Sequence, residues 1–180
     1  MKLETLNSAE QNLLSQISTA SGLIEEKHFQ LEQNGIYAEY RKLYDAYVNL
    51  IDSETEGLEA LRRSIFLLWY EQAEPSCFTG LSELSEISSQ KVYNFLETRV
   101  SANEIDFELK WMLPFYNGIA VWVFEERASL PNLQRFLACA DRELWASELK
   151  AENFIGRGQM GNYWTSITTS NAVRLDKNAK

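Results

Sequence analysis

The sequence predicts an all-α protein, a single bundle of about six helices followed by an irregular C-terminal tail. Every strongly periodic apolar segment repeats at intervals of three and four residues, which is the period of a helix rather than of a strand. Capping-box spacings, Ser8 with Gln11 and Ser53 with Glu56, precede two of these segments. The 180 residues, 45% hydrophobic and 24% charged, have the length and composition of one globular domain.

The first three helices follow one another with short joints, which indicates antiparallel packing. Helix one is expected over residues 9–33, with a kink or a break at Ser21-Gly22 because glycine disfavours a helix interior. Helix two is expected over residues 36–51. The third helix opens after the cap at Ser53 and ends before Pro75, because proline restricts the residue that precedes it to extended conformations.

Shorter elements are expected in the middle of the chain. A turn over residues 75–80 leads to a short helix over 81–87, and Ser88-Ser89 then caps another helix. A further helix carries the apolar residues of 105–113 and bends or stops at Pro114, which lacks the amide hydrogen that a helix interior needs.

The segment from Trp111 to Phe124 is almost entirely apolar. Its second half, residues 119–124, fits a buried helix or, because of its β-branched residues, a strand; we favour a helix because no partner strand is evident. The segment is shorter than the ~20 residues that cross a bilayer, so no membrane insertion is expected.

The C-terminal part of the chain combines a regular and an irregular segment. Residues 130–149 show the clearest helical periodicity in the sequence and predict one long helix in which Trp145 is buried. Residues 156–180 are rich in Gly, Ser and Thr and weakly basic, and we expect them to form an irregular, partly docked tail outside a helical domain of residues 1–155.

Acidic residues are concentrated near the N-terminus. The net charge is −9, and residues 1–60 carry 11 acidic and 4 basic residues, which gives −7. Binding to nucleic acid is not expected, because a phosphate backbone repels such a surface. The charge fits a basic protein partner, bound by a face that includes Glu25, Glu26 and Glu32, or it serves solubility alone. A homodimer through helix one is left open.

Aromatic residues suggest a second interpretation. Tyr37, Tyr40, Tyr44 and Tyr47 follow one another at spacings of three, four and three, and therefore lie along one edge of helix two. Together with Trp111 and Tyr116 they would line a pocket for a small molecule. Tyrosines of this spacing are also typical of a core margin, where the ring is buried and the hydroxyl reaches water.

No catalytic residue, metal ligand or cofactor site is predicted. The segment 156–161 matches GxGxxG, but it follows a helix near the C-terminus, where the strand and helix that such a motif requires do not fit. His28 is the one histidine, so the usual zinc or di-iron sites cannot be built within one subunit. Cys77 and Cys139 form no CxxC motif, and the N-terminus does not resemble a secretory signal, so we expect reduced thiols and a cytoplasmic location.

The sequence does not identify a biochemical function. It favours a non-enzymatic, acidic helical interaction protein, an adaptor or an inhibitor of a basic partner, and the alternative is a small-molecule binder or an enzyme with an aromatic-lined pocket between helices. A structure distinguishes the two. An enclosed cavity lined by Tyr40, Tyr44, Trp111 or Tyr116 would favour the alternative, and a solid core with an exposed acidic face would favour the interaction protein.

Overall fold

The computed structural model describes residues 2–125, 130–140 and 150–178, with side chains as far as residue 169. In these residues it contains ten α-helices, one 3-10 helix and no strand, so the predicted all-α class is confirmed and the expected number of helices was too low. The α-helices are α1 (Leu3–Thr19), α2 (Ile24–Gln33), α3 (Ile36–Leu50), α4 (Gly57–Ala73), α5 (Ser76–Thr79), α6 (Glu86–Ser101), α7 (Phe107–Ile119), α8 (Trp122–Glu125), α9 (Pro131–Cys139) and α10 (Gly158–Asn178).

Helix one of the sequence analysis is two helices. The chain breaks between α1 and α2, where Gly22 adopts a φ of 101° that other residues rarely reach. The Glu26 carboxylate then accepts a hydrogen bond from the Leu23 amide at 2.8 Å and caps α2. Ser8 is not a cap as expected; it lies inside α1, which begins at Leu3, and its hydroxyl bonds to the preceding turn.

Helix two matches α3, and the predicted end before Pro75 matches the end of α4. The short helix expected over residues 81–87 is wrong, because Gly80 and Glu83 have positive φ angles that interrupt any helix there. The next helix, α6, begins at Glu86, and its cap is the Ser85 hydroxyl rather than the predicted Ser88-Ser89 pair.

Of the two alternatives expected at Pro114, a bend or a stop, the stop is wrong. The Asp106 carboxylate accepts the Leu109 amide hydrogen at 3.1 Å and opens α7, which continues through Pro114 to Ile119. Burial of the apolar residues on either side of the proline compensates for the backbone hydrogen bond that it cannot donate. Residues 119–124 form the end of α7 and the start of α8, so the preferred helix, rather than the strand, is confirmed.

The single long helix expected over residues 130–149 is wrong, because α9 covers only Pro131–Cys139 and ends at Ala140, whose backbone is extended. Residues 141–149, which include the predicted core residue Trp145, lie outside the described residues. A glutamate of α6 holds the start of α9: the Glu97 carboxylate accepts hydrogen bonds from the backbone amides of Asn132 and Leu133 at 3.0 and 2.8 Å. A carboxylate in this position stabilises the positive end of a helix.

The expectation of an irregular C-terminal tail is wrong. A 3-10 helix (Ala151–Phe154) leads into α10, which packs against α1 and α4. Phe154, Met160 and Trp164 are buried in the core. The composition of this segment disfavours a helix, but burial of its apolar residues, which recur at helical spacing, outweighs a propensity loss of a few tenths of a kcal/mol per residue.

The core lies between α1, α3, α4, α7 and α10 and is filled by aromatic rings. The Trp164 ring lies 4.4 Å from Trp111 and 4.7 Å from Phe115, and the Trp69 ring stacks 4.6 Å from Tyr116, all measured between centroids. Ring pairs at these distances add to the stabilisation that burial provides. No helix in the described part of the chain is both long and apolar enough to cross a membrane.

Candidate functional site

The tyrosine stripe of α3 belongs to the core. All four side chains are buried, and three hydroxyls bind inside the protein: Tyr37 to His28 Nδ1 at 2.8 Å, Tyr44 to Ser89 Oγ at 3.2 Å and Tyr47 to Glu10 Oε2 at 2.8 Å. The fourth, Tyr40, has a fully buried ring and a hydroxyl with no partner in the described chain. Burial raises the pKa of each of these phenols.

Trp111 and Tyr116, the other residues of the predicted pocket, are likewise buried. The Tyr116 hydroxyl accepts a hydrogen bond from Trp164 Nε1 at 3.0 Å, and its carbonyl accepts one from Trp69 Nε1 at 3.1 Å. The structure therefore gathers the six aromatic residues into packed core rather than around an enclosed cavity. Four clefts found among the described residues are lined by other side chains.

One of these clefts, of about 430 Å³, lies between the end of α4 and the start of α6. Its carboxylates have structural partners: Glu71 accepts the Leu84 amide hydrogen at 2.8 Å, and Glu83 lies 3.7 Å from the guanidinium of Arg41. These contacts hold the loop between α5 and α6 in place. They explain the acidic residues of the cleft without a ligand.

His28 connects three helices. Its Nδ1 lies 2.8 Å from the Tyr37 hydroxyl of α3 and 3.4 Å from Ser76 Oγ of α5. When Tyr37 donates, the lone pair of Nδ1 is used and cannot take the proton of Ser76. The nearby Cys77 thiol is free and buried. We therefore interpret His28 as an anchor of α2 rather than as a catalytic base.

A buried carboxylate, Glu10, joins α1 to α3, α4 and α10. Its side chain is 2% exposed, and Tyr47 and the backbone amide of Gln159 donate to it at 2.8 and 3.0 Å. The Arg63 guanidinium lies 3.7 Å away and donates to the Tyr47 hydroxyl at 3.0 Å. Burial raises the pKa of Glu10, and these partners offset only part of that effect.

A second set of charges surrounds Glu59 of α4. Its carboxylate binds the guanidinium of Arg63 at 3.0 Å and that of Arg157, which also reaches Glu108 of α7 at 2.7 Å. Burial alone would raise the pKa of Glu59, but the two arginines reverse this and lower it below its ordinary value. Arg157 thereby ties the start of α10 to α4 and α7. This network was not predicted from the sequence.

The GxGxxG segment has a structural role. Its middle glycine, Gly158, opens α10 with a φ of 61°, and the amide of the next residue, Gln159, points at the Glu10 carboxylate. A helix N-terminus attracts anions, and here the protein supplies its own. A side chain at Gly158 would overlap that carboxylate. The motif therefore binds an internal glutamate in the place where a dinucleotide site would hold a phosphate.

We expect Gly158→Ala to destabilise the fold by about 2 kcal/mol, because alanine is strained at a positive φ and its methyl group would displace Glu10. Gly118→Ala is the matched control, since its methyl group would meet no atom within 4 Å in α7. It should be neutral or stabilising by up to about 1 kcal/mol. Urea denaturation measures both, and equal effects would contradict the described docking of α10.

Glu10 and Glu59 predict pH effects of opposite sign. The folded-state pKa of Glu59 is lowered, so its contribution is present above its unfolded pKa and is lost as the pH falls through the folded value. The pKa of Glu10 is raised, so the folded state takes up its proton first and gains stability as the pH falls. Below about pH 4.5, the ordinary pKa of a glutamate, Glu59→Gln should therefore flatten the loss of unfolding free energy. Above that pH, up to the raised folded pKa of Glu10, Glu10→Gln should remove the gain in stability that occurs as the pH falls. Denaturant titrations at each pH measure this, and shifts in the same direction would contradict it.

Most acidic residues of the N-terminal third have partners inside the molecule. Seven of its 11 carboxylates accept a hydrogen bond or form an ion pair: Glu10, Glu26, Glu39, Asp45, Asp52, Glu56 and Glu59. The side chains of the other four are exposed and have no such contact within the described chain: Glu4, Glu25, Glu32 and Glu54. Only these four carboxylates of the N-terminal third are thus without a hydrogen bond or ion pair within the described chain.

The three glutamates of the predicted partner face also differ in their contacts. Glu25 and Glu32 point away from the core on α2, whereas Glu26 caps the helix. Between the first two lies Phe29, whose side chain is 61% exposed. Because the spacings are four and three residues, Glu25, Phe29 and Glu32 form one stripe along the helix, which we call the α2 stripe.

Comparison with known proteins gives no family, since no protein-family model, curated protein or solved structure matches the chain. The described segments contain no group of three or more His, Cys, Asp or Glu side chains placed to hold a metal ion. The α2 stripe is the candidate functional site because it combines exposed carboxylates with an exposed aromatic ring.

Proposed function

We propose that this protein is a non-enzymatic interaction protein, an adaptor or an inhibitor, that binds a basic protein partner. One observation carries the proposal: Glu25 and Glu32 are exposed on one side of α2 and have no intramolecular partner within the described chain. Carboxylates that form no hydrogen bond or ion pair within the described chain are available to a ligand. The packing of the predicted pocket residues into the core supports an interaction protein over a small-molecule binder.

The net negative charge of the N-terminal third also supports the proposal, because it acts on a partner before contact is made. Residues 1–60 sum to −7, and only Lys27 is basic between residues 3 and 40. Its ammonium group lies 5.2 Å from the centroid of the Phe78 ring and is placed there rather than beside the free glutamates. A field of one sign attracts oppositely charged proteins and increases their rate of association.

A selection experiment tests this function. We expect peptides selected from a displayed random library on the immobilised domain to be enriched in Lys and Arg. Their affinity should fall steeply with added salt, because the screening length decreases from ~10 Å at 0.1 M to ~3 Å at 1 M. Selected peptides without a positive charge bias, or with affinities that do not depend on salt, would contradict the proposal.

A further inference from the structure

We infer that the α2 stripe docks a basic amphipathic helix of the partner, with an apolar side chain of that helix on Phe29 and Lys or Arg side chains opposite Glu25 and Glu32. This inference rests on the proposed function and adds to it the site and the form of the ligand. It is carried by the attachment of α2, its exposed apolar residues and its charge.

The attachment of α2 to the fold uses one side of the helix. Leu31 is its one buried residue, and α2 packs against α3 and α5. His28 adds the hydrogen bonds to Tyr37 and Ser76 on this side. Phe29 faces away from these contacts, because it lies about 160° around the helix from Leu31. Glu25 and Glu32 lie between Phe29 and the His28 side, three residues before and four residues after His28, and both are exposed. A partner can therefore pack on the Phe29 side of α2, within reach of both carboxylates, without displacing any described element.

Apolar side chains are unusually exposed at this place. Of ten large hydrophobic residues exposed in the described chain, four belong to α2, its first cap or the adjoining α5: Leu23, Ile24, Phe29 and Phe78. Phe29 lies on the α2 stripe between its two glutamates, whereas Ile24 lies on the Leu31 side of the helix and Phe78 lies against Lys27. An aromatic residue such as Phe29 provides the apolar contact that polar rim residues cannot.

The stripe is held in a defined geometry before any partner binds. Glu26 caps the start of α2, and the side chain of Gln30 donates to the Ser21 carbonyl at 2.9 Å while accepting from the Ser21 amide at 3.3 Å. The joint between α1 and α2 is thereby tied to the helix. A preformed surface loses less conformational entropy on binding, which favours affinity.

Charge complementarity identifies the occupant. A second copy of this chain would place Glu25 and Glu32 opposite the same carboxylates, since a two-fold interface is self-complementary. Nucleic acid and anionic lipid surfaces are repelled for the same reason. A helix with Lys or Arg four residues before and three residues after an apolar residue matches the charges and the spacing of the stripe. The homodimer through helix one that the sequence left open is therefore not favoured at this face.

A designed peptide tests the inference. The probe is a fluorescently labelled, alanine-rich helix of about 18 residues that carries Lys-x-x-x-Leu-x-x-Lys, and its counterpart has Glu in place of Lys. We expect the Lys peptide to bind the wild-type protein, and Glu25→Lys with Glu32→Lys, or Phe29→Ser alone, to weaken binding about tenfold. Fluorescence anisotropy measures each dissociation constant.

Matched variants separate this site from general charge attraction. Glu4→Lys with Glu54→Lys also changes the net charge from −9 to −5, but these residues lie near the joint between α3 and α4, at the other end of α3 from α2. Ile87→Ser on α6 matches Phe29→Ser, since Ile87 is 86% exposed. Both controls should change the affinity less than about threefold.

The outcomes distinguish the two proposals. If both pairs of charge reversals weaken binding equally, or if Phe29→Ser has no effect, the docking site on α2 is wrong while the basic partner stands. If the Glu peptide binds the wild-type protein as tightly as the Lys peptide, the preference for a basic partner fails, and the docking inference fails with it.

Discussion

Trp164→Ala is expected to lower the free energy of unfolding by about 3 to 5 kcal/mol, the usual cost of removing a large buried aromatic side chain. The Trp164 ring is fully buried, contacts Trp111 and Phe115 and donates its indole hydrogen to Tyr116. The substitution leaves a cavity between α7 and α10 and an unsatisfied Tyr116 hydroxyl. Chemical denaturation measures the loss.

Trp122→Ala is the control for this substitution. Trp122 is 49% exposed on α8, so the same change of residue should cost only about 1 kcal/mol. A loss below ~1 kcal/mol at Trp164 would mean that residues 150–169 do not pack into the core, and the predicted irregular tail would then be restored.

Arg63→Met is expected to destabilise the protein by about 3 to 5 kcal/mol, because removing one partner of a buried ion pair leaves uncompensated charge. Arg63 is buried and binds Glu59 at 3.0 Å and Asn7 Oδ1 at 3.0 Å, and it lies 3.7 Å from Glu10. Methionine retains much of the apolar stem, so the effect reports mainly the lost charge. Equilibrium denaturation at neutral pH measures it.

Two further variants test the cause of that effect. Adding Glu10→Gln to Arg63→Met removes one unpaired carboxylate and should recover part of the lost stability. Arg41→Met removes the same side chain from an exposed pair with Glu83 and should cost about 1 kcal/mol or less. Equal losses at Arg63 and Arg41 would show that the network around Glu10 does not depend on its buried charges.

Local signals in the sequence predicted the central helices correctly. Helix two and the end of the third helix follow from apolar periodicity and from Pro75, and the break at Ser21-Gly22 follows from the glycine. Element boundaries failed where several serines competed as caps, as at Ser85. The predicted stop at Pro114 is absent because burial of apolar residues on both sides of the proline outweighed the loss of one backbone hydrogen bond.

Long-range contacts explain what the sequence did not predict. The start of α10 depends on Glu10 and Glu59, which are more than ninety residues away in sequence and leave no local signal. A weak signal existed in Met160, Trp164 and Ile167, whose spacings of four and three residues are helical. The sequence also contained a weak signal that Glu10 is buried, since this residue lies four residues after Leu6 and three before Leu13, on the buried side of α1.

The candidate site was predictable only in part. The charged residues along this part of the sequence predicted that Glu25 and Glu32 are exposed. The capping role of Glu26 was not predicted, because it depends on the break at Gly22, which places Glu26 in the first turn of α2. Exposure of Phe29 could not be predicted, because apolar residues on a helix are expected to be buried. It becomes visible only when the packing of α2 against α3 and α5 is known.

A charge-swap measurement tests the central claim most directly. The variant with Glu25→Lys and Glu32→Lys is titrated with the Glu peptide, and the same peptide is titrated into the variant with Glu4→Lys and Glu54→Lys. If the α2 stripe is the docking site, the variant with Glu25→Lys and Glu32→Lys should bind the Glu peptide with a dissociation constant within about threefold of that of the wild-type protein for the Lys peptide. The reason is that the two reversals restore opposite charges across one interface. The second pair should stay at least about tenfold weaker. Equal affinities in the two titrations, or no recovery in the first, would contradict the assignment of α2 as the surface that binds a basic partner.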